Sequence, residues 1–331
     1  MANTMSNKTP PHTNTQSESD VICRFYFENQ PFRGAVVKLQ NSFIEALNGH
    51  DYPEIINALL GEALAATTLM GVQLKHSARI SLQARGDGLI QLLLAEANIQ
   101  LANEQSPTDL GHGIRAVARL KNTADTAGNV NQPHDYLDLL GHGQLAITIE
   151  PEEGERYQGI VAADQHNLKA CLESYFNQSE QIPTFFMFAS DHSHATGILL
   201  QRMPHEDSYA LDARDKFTND PKADALWQEL TTLADTLSEE ELIALPAEDM
   251  LYRLFHQHQV KLSPAQSVRF QCSCSYQRTS AALAHINPLE LEQILSEDGE
   301  IVMDCEFCSA RYRFDRDNIA QLGLAADPTR H

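Results

Sequence analysis

The sequence predicts an α+β protein: an N-terminal antiparallel-sheet domain with packed helices, a helical linker, and a small C-terminal module built on four cysteines. Three observations carry that expectation. Up to about residue 203 the chain is dominated by short runs that alternate apolar and polar residues between turn signals, which is the pattern of half-buried strands. From 204 to 265 β-branched residues become scarce and apolar residues recur at helical spacing. Four of the six cysteines then fall in two short pieces, "RFQCSCSYQ" at 269–277 and "MDCEFCSARYRF" at 303–314.

Residues 1–20 are polar and lack both the basic start and the apolar run of a secretory signal, so a disordered tail is expected there. The N-terminal domain follows over 21–203. It opens with the alternating "VICRFYF", in which Cys23 reads as a small core residue. The stretch "PEIINALLGEALAATTLMGVQL" at 53–74 predicts a buried core helix. Pro53 suits its first turn, and Asn57 and Glu62 make it too polar for a membrane span. "ARISLQA" and "LIQLLLA" flank "RGDG" at 85–88 and predict an antiparallel hairpin. Further strands are expected at "IRAVARL", "QLAITIE", "YQGIVA", "TFFMFA" and "TGILLQ". A second helix at 166–176 puts Leu168, Cys171, Leu172, Tyr175 and Phe176 on one face, which makes Cys171 a core residue as well.

The linker, 204–265, starts with a charged run and continues as short amphipathic helices. Leu226, Trp227, Leu230, Leu233, Ala234 and Leu237 form one apolar stripe, and Ser238 with Glu241 makes a capping box for the next helix. A third candidate, "PAEDMLYRLF", carries Leu251, Leu254 and Phe255. Helices this short are unstable alone in water, so the segment must pack on a neighbour and could detach from it.

The C-terminal module, 266–331, holds Cys272, Cys274, Cys305 and Cys308. In extended chain Cys272 and Cys274 point the same way with Cα atoms roughly 6.6 Å apart, so both sulfurs reach one ion. Cys305 and Cys308 have C-x-x-C spacing between β-prone segments, which suits a knuckle in a hairpin. Two such pairs supply a closed tetrahedral zinc site, one ion per chain, and a module of this size needs a staple. A bridge from Cys272 to Cys274 lies at the limit of disulfide geometry for extended backbone, so oxidation and the zinc-bound fold should exclude each other. Four cysteines allow three disulfide connectivities, and spacing alone leaves them open.

Charge and missing motifs exclude several function classes. With 24 Lys plus Arg against 45 Asp plus Glu, the net charge of −21 repels phosphate backbones and anionic lipid, so neither nucleic acid nor membrane is expected as a partner. No signal or membrane span is read, which places the chain in the cytoplasm. "GHGIRA" at 111–116 and "GHGQLA" at 141–146 fit a dinucleotide fingerprint in letters but lead into strand-like sequence, and no phosphate loop exists. His192 with His194 and His256 with His258 read as solvated histidines near turns and helix ends. No nucleophile motif is present, so an enzyme is not expected.

The segment "VRFQCSCSYQRTSAALAHINPLELEQILSEDGEIVMDCEFCSARYRF", with C-x-C and C-x-x-C thirty residues apart, resembles the C-terminal switch of the heat shock protein 33 family. "FRGAVVKL", "ALLGEALAATTLM", "ARGDGLIQLL", "EPEEGERYQGIV", "CLESYFNQSEQIPT", "LLQRMP" and "LPAEDMLYRLFH" are similar to that family in the same order, and the resemblance runs from about Val21 to Phe314. The tail and a loop around 122–143 look like additions to the family pattern. The resemblance implies a redox-regulated, ATP-independent holdase chaperone of the oxidative stress response, off when reduced and zinc-bound. In that reading Cys272, Cys274, Cys305 and Cys308 are zinc ligands and redox sensor together. Oxidation pairs Cys272 with Cys274 and Cys305 with Cys308, zinc leaves, and the linker unfolds. Unfolding client proteins are the implied partners, with a dimer in the oxidised state and hand-over to ATP-dependent chaperones. Two other classes compete: a zinc-ribbon nucleic-acid binder, and a thiol oxidoreductase using Cys305 and Cys308. Against the first, residues 264–331 carry six arginines and no lysine facing ten acids. Against the second, a strand-flanked knuckle with another cysteine pair differs from an exposed C-x-x-C at a helix start.

Overall fold

The computed structural model describes residues 19–101, 111–121, 136–204 and 220–322. At its centre lies helix α2 (Glu54–Gly71), the core helix expected from 53–74. From Gly61 to Gly71 every residue but Glu62 is buried, a pattern that only a helix enclosed on all sides can satisfy. Pro53 stands one place earlier than expected, at the N-cap. Its carbonyl accepts from Ile56 N at 2.9 Å and Asn57 N at 3.1 Å, so the residue that cannot donate takes a position that needs only an acceptor.

Among the described residues eleven strands form one sheet that curls around α2. They are β1 (Val21–Phe27), β2 (Phe32–Leu39), β3 (Ala78–Arg85), β4 (Ile90–Ile99), β5 (His112–Leu120), β6 (Gln144–Pro151), β7 (Tyr157–Ala162), β8 (Thr184–Ser190), β9 (Ala195–Arg202), β10 (Val260–Leu262) and β11 (Gln266–Phe270). Their order is β7-β6-β3-β4-β5-β11-β1-β2-β9-β8, with β10 also paired to β1. The expected hairpin is the antiparallel pair β3–β4, in register from Ala78 opposite Ile99 to Arg85 opposite Leu92. Both glycine decoys enter strands, β5 and β6, as their context predicts.

Helix α1 (Asn41–Leu47) was not anticipated from the sequence. Its N-terminus is capped from a distance: the Asp20 carboxylate accepts from the backbone N–H of Gln40, Asn41 and Ser42 at 2.8–3.0 Å. Asp20, placed in the tail by sequence, is thus an ordered structural residue, whereas residues 1–18 lie outside the described residues. So do 122–135 of the additional loop and 205–219 of the charged run that opens the linker; α3 (Tyr136–Leu140) follows the loop. Helix α4 (Leu168–Tyr175) runs into a single π turn, Phe176–Glu180, and buries Leu168, Cys171, Leu172 and Tyr175 as expected.

The linker forms α5 (Pro221–Ala234), α6 (Glu239–Ala244) and α7 (Ala247–Phe255). The Ser238–Glu241 capping box is present in both directions. These helices lie across the face of β1, β2, β8 and β9 opposite α2 and build a second apolar core. Phe25, Phe27 and Phe32 from the sheet meet Phe255 and Trp227; the Phe27 and Phe255 rings lie 5.2 Å apart edge to face, and Phe32 stacks on Trp227 at 5.9 Å. The double cover explains why every residue of β9 is buried, whereas β3 alternates buried and more exposed positions.

The C-terminal part comprises α8 (Tyr276–Leu283), α9 (Pro288–Glu297), the hairpin β12 (Glu300–Asp304) with β13 (Arg311–Asp315), and α10 (Arg316–Gln321). Its own core is small: Leu283, Leu291, Leu295, Ile301, Phe314 and Ile319. Strand β11, which the expected boundary at 265/266 assigns to this module, is instead an internal strand of the large sheet, parallel to β5 and antiparallel to β1. Val268 sits in the main core around α2.

Candidate metal centre

Two pieces of backbone bring the four cysteines together. Cys272 and Cys274 follow β11 in irregular chain, less exposed than their neighbours Gln271 and Ser273, so both sulfurs face the same side. Ser275 then caps α8 by accepting from Arg278 N at 3.2 Å. Cys305 and Cys308 occupy the turn of the β12–β13 hairpin. Ser309 N donates to Cys305 O at 2.8 Å, Cys305 N donates to Ala310 O at 2.9 Å, and Ser309 takes a left-handed φ of 54° to close the knuckle.

All four Sγ atoms lie within 4.8 Å of one another, the only such group of potential ligands among the described residues. The shortest separations cross between the two pieces, 3.6 Å from Cys272 to Cys305 and 3.4 Å from Cys274 to Cys308. A tetrahedral ion with Zn–S bonds of about 2.3 Å sets its sulfurs roughly 3.8 Å apart. A disulfide needs about 2.05 Å, and all four thiols are unbridged. The cluster is therefore able to bind a metal ion, and its soft donors at this spacing fit zinc.

The electrostatics of the cluster point the same way. Burial, followed by the neighbouring sulfurs, pushes the Cys308 thiol well above the usual range, so a thiolate at Cys308 calls for a compensating cation. Tyr312 on β13 donates from its hydroxyl to Cys274 Sγ at 3.1 Å, and this bond is the largest cause of a phenol pKa pushed up to about 12.

The knuckle is fastened to the sheet by side chains with no obvious sequence signature. Arg115 on β5 lies 4.0 Å over the Phe307 ring, donates to Ser273 Oγ at 2.8 Å and pairs with Glu96 at 2.5 Å. Arg119 pairs with Glu306, Ser309 Oγ donates to Gly49 O at 3.1 Å, and the His50 ring reaches Phe307 O at 3.5 Å. The position of Glu306 and Phe307 inside C-x-x-C was the available clue. Their partners, some 190 to 260 positions earlier in the chain, were beyond reach of spacing arguments.

The remaining candidates stay apart. Cys23 is buried under the linker helices and Cys171 in the main core. His194 interacts with Asp191 at 3.1 Å and His258 with Glu229 at 3.1 Å. Neither belongs to a group of three or more potential ligands among the described residues. No helix among the described residues is long and apolar enough to cross a membrane.

Comparison with known proteins agrees with this architecture. The family model described as Hsp33 protein matches residues 20–315. A 33 kDa chaperonin of Shewanella frigidimarina is 40% identical over 304 residues, 92% of this chain and 96% of the relative. A 33 kDa chaperonin of Shewanella sp. (strain ANA-3) is 39% identical over 303 residues, 92% and 95% of the two chains. The crystal structure of the 33 kDa chaperonin (heat shock protein 33 homolog) of Thermotoga maritima aligns with a TM-score of 0.69 over 92% of this chain and 97% of that one. At 18% identity that likeness speaks for the fold alone. A match running through both the sheet domain and the cysteine cluster, with relatives near 40% identity along most of the length, means that the chain belongs to the Hsp33 protein family.

Proposed function

We propose that this protein is a redox-regulated, ATP-independent holdase chaperone that binds unfolding client proteins under oxidative stress in the cytoplasm, without catalysing a reaction of its own. The observation that carries the reading is a juxtaposition. Helices α5–α7 cover a large apolar face of the sheet, and the thiol cluster begins two residues beyond β11, an internal strand of that same sheet.

In the resting state Cys272, Cys274, Cys305 and Cys308 would hold one zinc ion, whose charge would favour their deprotonated form and staple a module that has only a six-residue core of its own. Peroxide or hypochlorous acid attacks the thiolates. Pairing Cys272 with Cys274 and Cys305 with Cys308 removes four electrons; with peroxide as oxidant, two molecules are reduced to water, four protons being taken up. The pairing within each segment follows the family resemblance, although the nearest sulfurs in the reduced cluster lie across the segments. Once paired, the sulfurs no longer hold the ion, the knuckle loses its turn, and its contacts to Arg115 and Arg119 go with it.

The linker helices, short and lacking independent stability, then release the face made by Phe25, Phe27, Phe32, Val36, Phe185 and Ile198, which becomes the client-binding surface. The division into a substrate-binding domain (21–203), a metastable linker (204–265) and a redox switch (266–331) belongs to this proposal, with β11 as the strand shared by the first and last. Dimerisation of the oxidised form and hand-over of clients to ATP-dependent chaperones complete it.

The test is aggregation of a denatured reporter protein, followed by light scattering with reduced, zinc-loaded protein and with peroxide-treated, warmed protein. Suppression only by the second is expected. Zinc should be retained by Cys23→Ser and Cys171→Ser but not by a Cys272→Ser, Cys305→Ser double variant. Equal suppression by both redox forms overturns the regulation, and absence of suppression in both overturns the chaperone reading.

A further inference from the structure

The sheet face under α5–α7 is apolar in the middle and cationic around its edge. On β2, Lys38 is buried and projects from the same face as Phe32 and Val36; its Nζ donates to Leu242 O at 2.8 Å and Ile243 O at 3.1 Å, the last carbonyls of α6. At the opposite end of the β2–β9 pair, beside Phe32, the buried guanidinium of Arg202 pairs with Asp224 in the first turn of α5. At the β8 edge, Lys169 lies 4.3 Å over the Phe185 ring and pairs with Asp235 at 3.1 Å, at the C-cap of α5. Three cations from three separate elements thus frame one apolar floor.

The segment that occupies this frame matches it in charge. Residues 221–255 carry eight acidic and two basic residues, and the linker offers the frame two carboxylates and the negative end of a helix. Two of these acids also face acids: Glu239 approaches Glu62 on α2, and Asp235, besides pairing with Lys169, approaches Glu173 on α4. An occupant that fits here is amphipathic and acidic, and a client must replace that occupant on the same floor.

We propose that the exposed face selects client segments in which carboxylates flank apolar residues, so that the linker acts as an internal mimic of the preferred client. The inference rests on the client-binding reading above and names its substrate class. The molecule as a whole argues the other way: a net charge of −21 draws cationic chains from a distance. At physiological salt the far field is screened beyond about 8 Å, so contact charges decide selectivity.

The experiment uses the full chain, oxidised and warmed, and three fluorescein-labelled unstructured peptides of twenty residues. They share the same Leu, Phe and Trp positions and differ only in four interspersed residues, all Glu, all Lys or all Gln. By fluorescence anisotropy the Glu peptide is expected to bind about fivefold more tightly than the Lys peptide, a margin within reach of peptide carboxylates placed against three cations on the uncovered face. The margin should shrink below about twofold in molar salt. It should also shrink in a Lys38→Gln, Lys169→Gln, Arg202→Gln triple variant. Lys169→Gln alone changes a partly exposed side chain, so it tests the same point if the triple variant does not fold. Equal or tighter binding of the Lys peptide, or a preference untouched in both variants, overturns the proposal while binding of the Gln peptide keeps the client-binding reading intact. Failure of all three peptides to bind overturns both.

Discussion

Two side chains set properties of this protein that neither cluster geometry nor burial alone explains. The Tyr312 hydroxyl donates to Cys274 Sγ and so withdraws electron density from one sulfur of the cluster. Tyr312→Phe keeps the ring but removes the bond. The variant should still take up one zinc but lose it several-fold faster in peroxide, read with a chromogenic chelator; an unchanged rate would show that the bond does not tune reactivity. Glu62, the least buried residue between Gly61 and Gly71, still has its carboxyl crowded by protein, and its pKa is raised to about 7, first by that desolvation and then by Glu239. Because the folded state favours the protonated form, this contribution to stability is fully present below the unfolded carboxyl pKa and is lost as pH rises through about 7. Urea midpoints should therefore fall from pH 5 to pH 8, and Glu62→Gln should flatten that slope. Identical pH profiles for both proteins would contradict the assignment.

At the scale of elements, the linker helices matter most, because their stability is borrowed. Helix α6 has only six residues and α7 nine, too few to persist in water, and both persist here through Leu242, Met250, Leu254 and Phe255 on the sheet. Phe255 is the anchor, buried to 1% exposure against Phe25 and Phe27. Phe255→Ala removes about 3–5 kcal/mol of packing, comparable with what such short helices can contribute in total. It should release the linker without oxidation: emission from Trp227, the only tryptophan, shifts to the red in reduced protein while zinc content stays at one per chain. A Trp227 spectrum identical to that of the wild type would mean that the helices are held elsewhere.

For the whole molecule the decisive feature is the path from sulfur to sheet. Strand β11 is hydrogen-bonded between β5 and β1, Gln271 N donates to Ile114 O at 2.9 Å, and Cys272 is the next residue. β1 in turn carries Cys23, Phe25 and Phe27 on the face covered by the linker. A change at the cysteines is therefore one strand away from the linker's floor. After oxidation, hydrogen exchange should show protection lost over 221–255 and 266–270 while the β3–β4 hairpin keeps its own. If 266–270 stays protected in the active form, the signal does not pass through β11. Local pattern was enough to expect the strands, the buried core helix, the capped linker helices and the four-cysteine set, because alternation, helical stripes, caps and metal-ligand spacing are all properties of neighbouring residues. Four things came only from the tertiary structure: the capping of α1 by Asp20, the fastening of the cysteine knuckle by Arg115 and Arg119, the framing of the linker by Lys38, Lys169 and Arg202, and the insertion of β11 into the large sheet. Each joins residues that are roughly 20 to more than 200 positions apart, and a strand of five residues fits several edges equally well by its own pattern. Between β5 and β1 it buries Val268 in the core around α2, a contact that its own five residues do not specify.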